Sequence, residues 1–240
     1  PKESGAPEGG GVDPAEFHKK VMPSWKLGIR FLWGQRKFFD YTFGLQMDWK
    51  WDRLTKNNGF YCDDVCEYVD LPSALMSHNK VFVRRPDGLP AVTRNVGYHI
   101  DNPRFVRFIE EYAVRLGITV IDGQVEAAKP GPAGVAGVLL ASGQELTADL
   151  YVDCTGFRCL LLGKALEEPF VRYDDTLFCD RAVTGTWKRT DEEILPYTLA
   201  ETMDAGWCWQ IDHPDGTMRG YVYSSKFMAD DVAEAEFRRK

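Results

Sequence analysis

A lysine becomes chemically useful when it is kept out of water, and Lys26 stands in a stretch able to do this. From Ser24 to Trp33 the chain reads Ser-Trp-Lys-Leu-Gly-Ile-Arg-Phe-Leu-Trp, with apolar residues on every second position, the period of a pleated strand. The alternation puts Trp25, Leu27, Ile29, Phe31 and Trp33 on one face and Lys26, Gly28, Arg30 and Leu32 on the other. If the aromatic face is core, Lys26 lies beside Gly28, whose missing side chain leaves room for an approaching group. It also lies near Arg30, whose charge resists a second cation. A lysine so placed is partly neutral, and a neutral amine is a nucleophile and hydrogen-bond donor of use in catalysis. The same spacing equally describes an ordinary exposed strand lysine.

Aromatic rings are the second resource. Phe38, Phe39, Tyr41, Phe43, Trp49 and Trp51 crowd residues 37–51 without a clean helical or strand period, and they form either core and cover or the lining of a pocket for a flat organic substrate. Further on, Trp207, Trp209 and Ile211 alternate with Cys208 and Gln210, so two indoles share one strand face as a wall or as sheet packing. A third cluster is Asp153-Cys154-Thr155-Gly156, which closes the apolar run from Asp149. A glycine directly after a buried strand lets backbone approach a ligand at the carboxyl end of a parallel sheet, although many α/β proteins have such turns.

These residues need elements to hold them. Pro1 to Val12 reads as a mobile leading segment without fold, and Asp13-Pro14 as the cap and first residue of a short helix stopped near Pro23. Asp64 to Met76 has helical spacing interrupted at Pro72, and Val81 to Arg84 a short strand before the Arg85-Pro86-Asp87-Gly88 turn. Asn102-Pro103 opens a helix through Phe105, Phe108, Ile109, Tyr112, Ala113 and Leu116 that ends at Gly117. Ile118 to Ile121 with Val125, then Val135 to Ala141 with Glu145-Leu146, then Asp149 to Cys154 are expected strands. In the last third, strands are expected over Leu177–Trp187, Gly206–Ile211 and Arg219–Ser225, with a helix at Ile194–Asp204 and a charged helix from Asp230 to Lys240. The fold class is mixed α/β (α+β), divided as 1–12, 13–165 and 166–240, the last an antiparallel sheet region.

The 240 residues are 44% hydrophobic, enough for a sizeable core. A formal charge of −7 disfavours nucleic acid or an anionic membrane as partner. No apolar run reaches the roughly eighteen residues of a spanning helix, and no basic start leads into an apolar stretch, so a cytoplasmic location is expected. The six cysteines are scattered, and Cys62-x-x-x-Cys66 lacks a second pair or clustered histidine; reduced thiols and no metal are the expectation.

Four stretches carry a resemblance. Pro23-Ser-Trp-Lys-Leu-Gly-Ile-Arg-Phe31, Asp149-Leu-Tyr-Val-Asp-Cys-Thr-Gly-Phe-Arg158, Ala165-Leu-Glu-Glu-Pro-Phe170 and Gly206-Trp-Cys-Trp-Gln-Ile211 resemble, in order and spacing, the flavin-dependent tryptophan halogenases. The likeness runs from Ala15 to Lys240 and implies part of an FAD-binding, two-domain, flavin monooxygenase-like fold. The family's glycine-rich G-x-G-x-x-G loop and its later catalytic glutamate lie outside the match, so a partial chain is expected, with activity belonging to the intact protein. The resemblance implies that Lys26 is the active-site lysine. Trp207, Trp209 and Ile211 would belong to a W-x-W-x-I-P motif in which Asp212 replaces the proline, and Tyr41, in place of a histidine, would line the substrate pocket with Phe43. Asp153, Cys154, Thr155 and Gly156 resemble an FAD-side turn, and Val125 lies where the adenine end is met. The implied chemistry uses reduced FAD from a separate flavin reductase, with O2, to oxidise chloride or bromide to hypohalous acid. Lys26 would direct the halogen onto an electron-rich aromatic small molecule (tryptophan, indole or phenol-like) that the two indoles separate from the flavin. An aromatic monooxygenase of the same superfamily, or a non-catalytic module that binds an aromatic ligand, are the alternatives.

Overall fold

The computed structural model describes residues 11–44, 47–48, 54–55, 67–91 and 95–240. The expected site neighbours Trp49 and Trp51, the start of the helix expected from Asp64, and the cysteines Cys62 and Cys66 lie outside the described residues. The chain forms two compact units, Pro1–Tyr112 with Leu177–Lys240, and Ala113–Thr176.

In the first unit the order is α1 (Pro14–Val21), β1 (Ser24–Lys26), β2 (Gly28–Leu32), β3 (Phe39–Thr42), β4 (Met47–Asp48), β5 (Leu54–Thr55), α2 (Leu71–Ser77), β6 (Val83–Arg84), β7 (Pro90–Ala91) and β8 (Gly97–His99). Then come α3 (Asn102–Arg115), the second unit's β9 (Val125–Gly131), β10 (Gly134–Leu140) and β11 (Glu145–Leu146), and the first unit's β12 (Arg181–Trp187), β13 (Tyr197–Met203), β14 (Gly206–His213), β15 (Gly216–Tyr223) and α4 (Asp230–Arg239). α1 starts as its residues dictate, the Asp13 carboxylate accepting from the Ala15 N–H. In α2, Pro72 does not interrupt the helix. It sits in the first turn behind Asp70, which closes a reciprocal capping box with Ser73.

The expected single strand from Ser24 to Trp33 is two strands in two sheets. β1 pairs antiparallel with β8, whereas β2 lies in a six-stranded sheet of order β12-β15-β14-β13-β2-β3. Leu27 makes the break. Its N–H donates to the Pro196 carbonyl, its own carbonyl accepts from the Phe43 N–H, and its side chain is fully buried beside Leu75, Met76 and Tyr197. One residue spent this way shifts the period of two, so the expected face assignment does not carry across it.

β13 occupies ground expected to be helical. Ala-Glu-Thr-Met favours helix locally, but β13 has ladder partners on both edges, parallel to β2 and antiparallel to β14, and packing on both faces overrides propensity. The sheet then has two faces. Tyr197, Leu199 and Met203 share one with Cys208, Tyr221 and Tyr223, covered by α2 and by Ala233 and Phe237 of α4. Thr198 and Ala200 share the other with Ile29, Phe31, Tyr41 and Trp207.

The second unit is built on the three-stranded sheet β11-β10-β9. Its β10–β11 turn at Ser142-Gly143 is as expected, Gly143 taking φ +84°. Ile118–Ile121 and Asp149–Cys154, expected as strands, are not strands. Neither has a ladder partner among the described residues, and Leu150 and Val152 stay 79% and 75% exposed. An apolar run becomes a buried strand only when neighbours pair with both of its edges.

Candidate functional site

Lys26 ends β1 directly opposite Gly97 of β8, with Ser24 opposite His99. Directly opposed residues project to one side, so Ser24, Lys26 and His99 share a side. The Phe43 ring fills the space above Gly97, where a Cβ would meet it at 3.0 Å, and the Lys26 Nζ lies 5.3 Å from that ring's centroid. The lysine is half-buried, and burial pushes its amine below the ordinary lysine value.

Arg30 has no part in this. It makes a two-pronged ion pair with the buried Asp40 (2.7 and 2.8 Å) and reaches the Tyr197 hydroxyl at 3.3 Å. Tyr197 and Thr198 are neighbours on β13 and face opposite ways. His99, on the side of Lys26, bonds Thr198 (Nε2 to Oγ1, 2.9 Å), so Arg30 is on the far side of the sheet from Lys26. Gly28 departs from expectation too. A Cβ there would meet Thr42 Cα at 2.9 Å and the Tyr41 carbonyl closer still, so its space is taken by β3 and not left for a ligand.

The face that carries Thr198 also carries the indoles. Trp209 is opposite Ala200 and Trp207 opposite Thr202; Trp207 packs on the Phe31–Phe39 cluster with Tyr41 and Ile29. Trp209 crosses Gly220, where a Cβ would fall within 2.5 Å of its Nε1. Ile211 follows Trp209 by strand alternation. The structure thus brings Lys26, Tyr41, Phe43, Trp207, Trp209 and Ile211 to one side of the sheet. Asp212, at the motif's proline position, has a structural task. Its carboxylate accepts from Gln210 Nε2, Thr217 Oγ1 and the Leu195 N–H, tying β14 to β15.

Two residues that sequence reasoning missed stand with Lys26. His99 is 3% exposed and His213 6%, their ring centroids 6.4 Å apart. Burial, and the neighbouring charge of Lys26, push the His99 imidazole down to about 3, and burial lowers His213 as well. Neither lies in a spaced motif; only the pairing of β1 with β8 places His99 here.

Asp153 to Gly156, in the second unit, make a folded turn in place of a strand end. The Asp153 carboxylate accepts from the Thr155 N–H and hydroxyl and from the Leu161 and Leu162 N–H groups, bonds that hold it at about 2. Thr155 in turn accepts from Leu160 N–H. Gly156 takes φ +61° with nothing within 4 Å of its missing Cβ, and Cys154 is exposed as a free thiol. Val125 opens β9. Among the described residues no group of three metal-binding side chains is found, and no helix is long and apolar enough to cross a membrane.

The architecture is that of the flavin-dependent halogenases. It superposes on a tryptophan 6-halogenase, SttH, from Streptomyces toxytricini (TM-score 0.81, 28% identical, 95% of this chain and 47% of that one). It also superposes on MibH, described as a lathipeptide tryptophan 5-halogenase (TM-score 0.79, 39% identical, 95% and 44%). The chain belongs to the tryptophan halogenase family, whose family model matches residues 8–240. Among curated relatives, tryptophan 7-halogenase KtzQ of Kutzneria sp. (strain 744) is 31% identical over 258 residues, covering 95% of this chain and 47% of the relative. The chain spans about half the length of the solved structures it matches.

Proposed function

We propose that the intact protein is a flavin-dependent halogenase that places chlorine or bromine on an electron-rich aromatic molecule, tryptophan or a similar indole or phenol, with Lys26 as the residue that handles the halogen. The observation that carries this reading is the half-buried Lys26 amine over Phe43, on the sheet side bearing Trp207 and Trp209. A desolvated amine holds its proton less firmly, so Lys26 both donates a hydrogen bond to a hypohalous acid and becomes a free nucleophile more readily than a solvated lysine. Tyr41, Phe43, Trp207, Trp209 and Ile211 supply the flat apolar surfaces that orient an arene and keep water from the oxidised halogen.

Reduced FAD, provided by a separate flavin reductase, would with O2 supply the oxidising power that converts chloride or bromide to hypohalous acid. The Thr155–Gly156 turn fits a flavin-side role, because Gly156 offers backbone unobstructed by any side chain while Asp153 spends its carboxylate on holding the turn. Val125, which opens β9, would meet the adenine end if the family resemblance carries over.

Product analysis on the reductase-coupled intact protein tests the reading. Lys26→Ala is expected to lower halide incorporation at least a hundredfold while flavin oxidation continues. A hydroxylated product formed equally with and without halide would instead make the protein a monooxygenase.

A further inference from the structure

Phe43 is held against Lys26 from three directions. Its N–H donates to the Leu27 carbonyl at 2.9 Å, and the preceding Thr42 stands opposite Gly28 in the β2–β3 ladder. Its ring edge covers Gly97, where a Cβ would meet Cε2 at 3.0 Å and the Lys26 carbonyl at 3.8 Å. Gly97 is in turn the ladder partner of Lys26. The backbone of residues 26–28 therefore places both the amine and the ring, and the Nζ comes to lie over the ring, 5.3 Å from its centroid.

That separation is inside the roughly 6 Å over which an aromatic face attracts a cation, and the attraction grows as water is excluded. Lys26 and Phe43 are both half-buried. The quadrupole of the ring attracts an ammonium and hardly attracts a neutral amine. It thus opposes the burial that lowers the proton affinity of Lys26. The ionisable side chains sharing this side are His99 of β8, Tyr41 of β3 and His213 of β14, and among the described residues no carboxylate pairs with Lys26. The His99 imidazole, held down to about 3, is neutral wherever a lysine titrates and supplies no counter-charge.

We propose that Phe43, seated in the gap left by Gly97, is the positioning residue that fixes the Lys26 ammonium by its ring face and keeps it charged where it donates to a hypohalous acid. This rests on the halogenase reading of Lys26, and gives Phe43 a task besides lining the pocket of the arene. A lysine side chain is a flexible stem, and a reacting nitrogen must be held in place to be of use. An ammonium resting on a ring keeps N–H groups on its outer side, so the contact anchors the nitrogen without consuming its capacity to donate. An acidic partner would anchor it too, but would take up those N–H groups and hold the proton far more firmly. Gly97 is the second positioning residue, because any side chain there displaces the ring from beneath the amine.

The test is titration of Lys26 in the intact protein carrying 13C-lysine, read by NMR at the ε-carbon and assigned by the signal lost in Lys26→Arg. Phe43→Leu removes the ring and keeps an apolar side chain. The titration midpoint is expected to fall by about one pH unit, a tenfold loss of proton affinity, and the alkaline limb of the kcat profile should move down with it. Mono-, di- and trifluorinated phenylalanine at position 43 drain the ring face while nearly keeping its shape, so the midpoint should fall in steps; this series serves if Phe43→Leu does not fold. Gly97→Val, which displaces an intact ring, should lower the midpoint too, whereas Phe43→Trp, with the stronger face, should raise it. A midpoint unchanged across the fluorinated series, with only the KM for the arene altered, overturns the proposal and leaves Phe43 as a wall of the pocket. A stepwise fall in a protein that forms no halogenated product would keep the hold of the ring on the amine and remove the halogenase reading instead.

Discussion

Two cations, Lys26 on the β1–β8 ribbon and Arg30 on the six-stranded sheet, are handled in opposite ways. Arg30 keeps its charge because Asp40, whose side chain is fully buried, meets it with both oxygens. Lys26 has no carboxylate within ion-pair reach among the described residues and is left to desolvation, opposed by the face of Phe43. Asp40→Ala strands a buried guanidinium and is expected to cost about 3–5 kcal/mol in denaturant melts, whereas Lys26→Met removes an uncompensated charge and should leave stability equal or higher. His99 gives a pH dependence. Its folded imidazole binds a proton only near pH 3, while an unfolded histidine binds one below about 6.5. Between these values the unfolded chain holds more protons, so stability falls as pH falls through that window, with a slope approaching about 1.4 kcal/mol per unit. Melts from pH 7 to pH 4 should show the slope in the parent and a shallower one in His99→Gln; parallel curves would mean that the ring titrates normally.

At the level of elements, the two indoles depend on glycines in neighbouring strands. Trp209 fills the space above Gly220, so Gly220→Ala must push the indole aside and is expected to cost about 1–3 kcal/mol by overpacking, with a shifted tryptophan emission maximum as the direct readout. The alternation of Trp207, Trp209 and Ile211 was legible because β14 is paired along both edges and its period of two is unbroken. Helices α1 and α3 were legible from their prolines and spacing, and α4 from its charged composition. Lys26 was singled out correctly as sheltered, but for the wrong cause. Local spacing cannot show that Leu27 leaves the ladder to bond Pro196 and Phe43, and that single excursion turns Lys26 away from Arg30. Tyr197–Met203 was misread as helix for a related reason: its strand state comes from partners more than a hundred residues away in sequence on one edge. His99 and Thr198 were invisible on the same account.

At the scale of the molecule, the parallel pairing of β13 with β2 is what unites the first and last thirds of the chain around the lysine. Tyr197 to Glu201 run beside Gly28 to Leu32, and the apolar clusters on both faces of that seam mix residues from both ends of the sequence. Long-range pairing of this kind contributes only when both partners are ordered, so the central strands β2, β13, β14 and β15 should open as one cooperative set. Native-state hydrogen exchange followed by mass spectrometry is expected to show peptides spanning residues 28–32, 197–203, 206–213 and 216–223 sharing one high opening free energy. The hairpin strands β9 to β11 of the second unit, with largely exposed or half-buried side chains, should exchange earlier and with a lower denaturant dependence. The decisive variant is Gly28→Ala, whose Cβ would collide with the β3 backbone. If the seam is one unit, it lowers protection in residues 197–203 as much as in 28–32 and leaves β9 to β11 unchanged. Loss confined to 28–32 would mean that the lysine-bearing stretch is attached to an independently stable sheet, and that the site's rigidity must come from β8 and Thr198 alone.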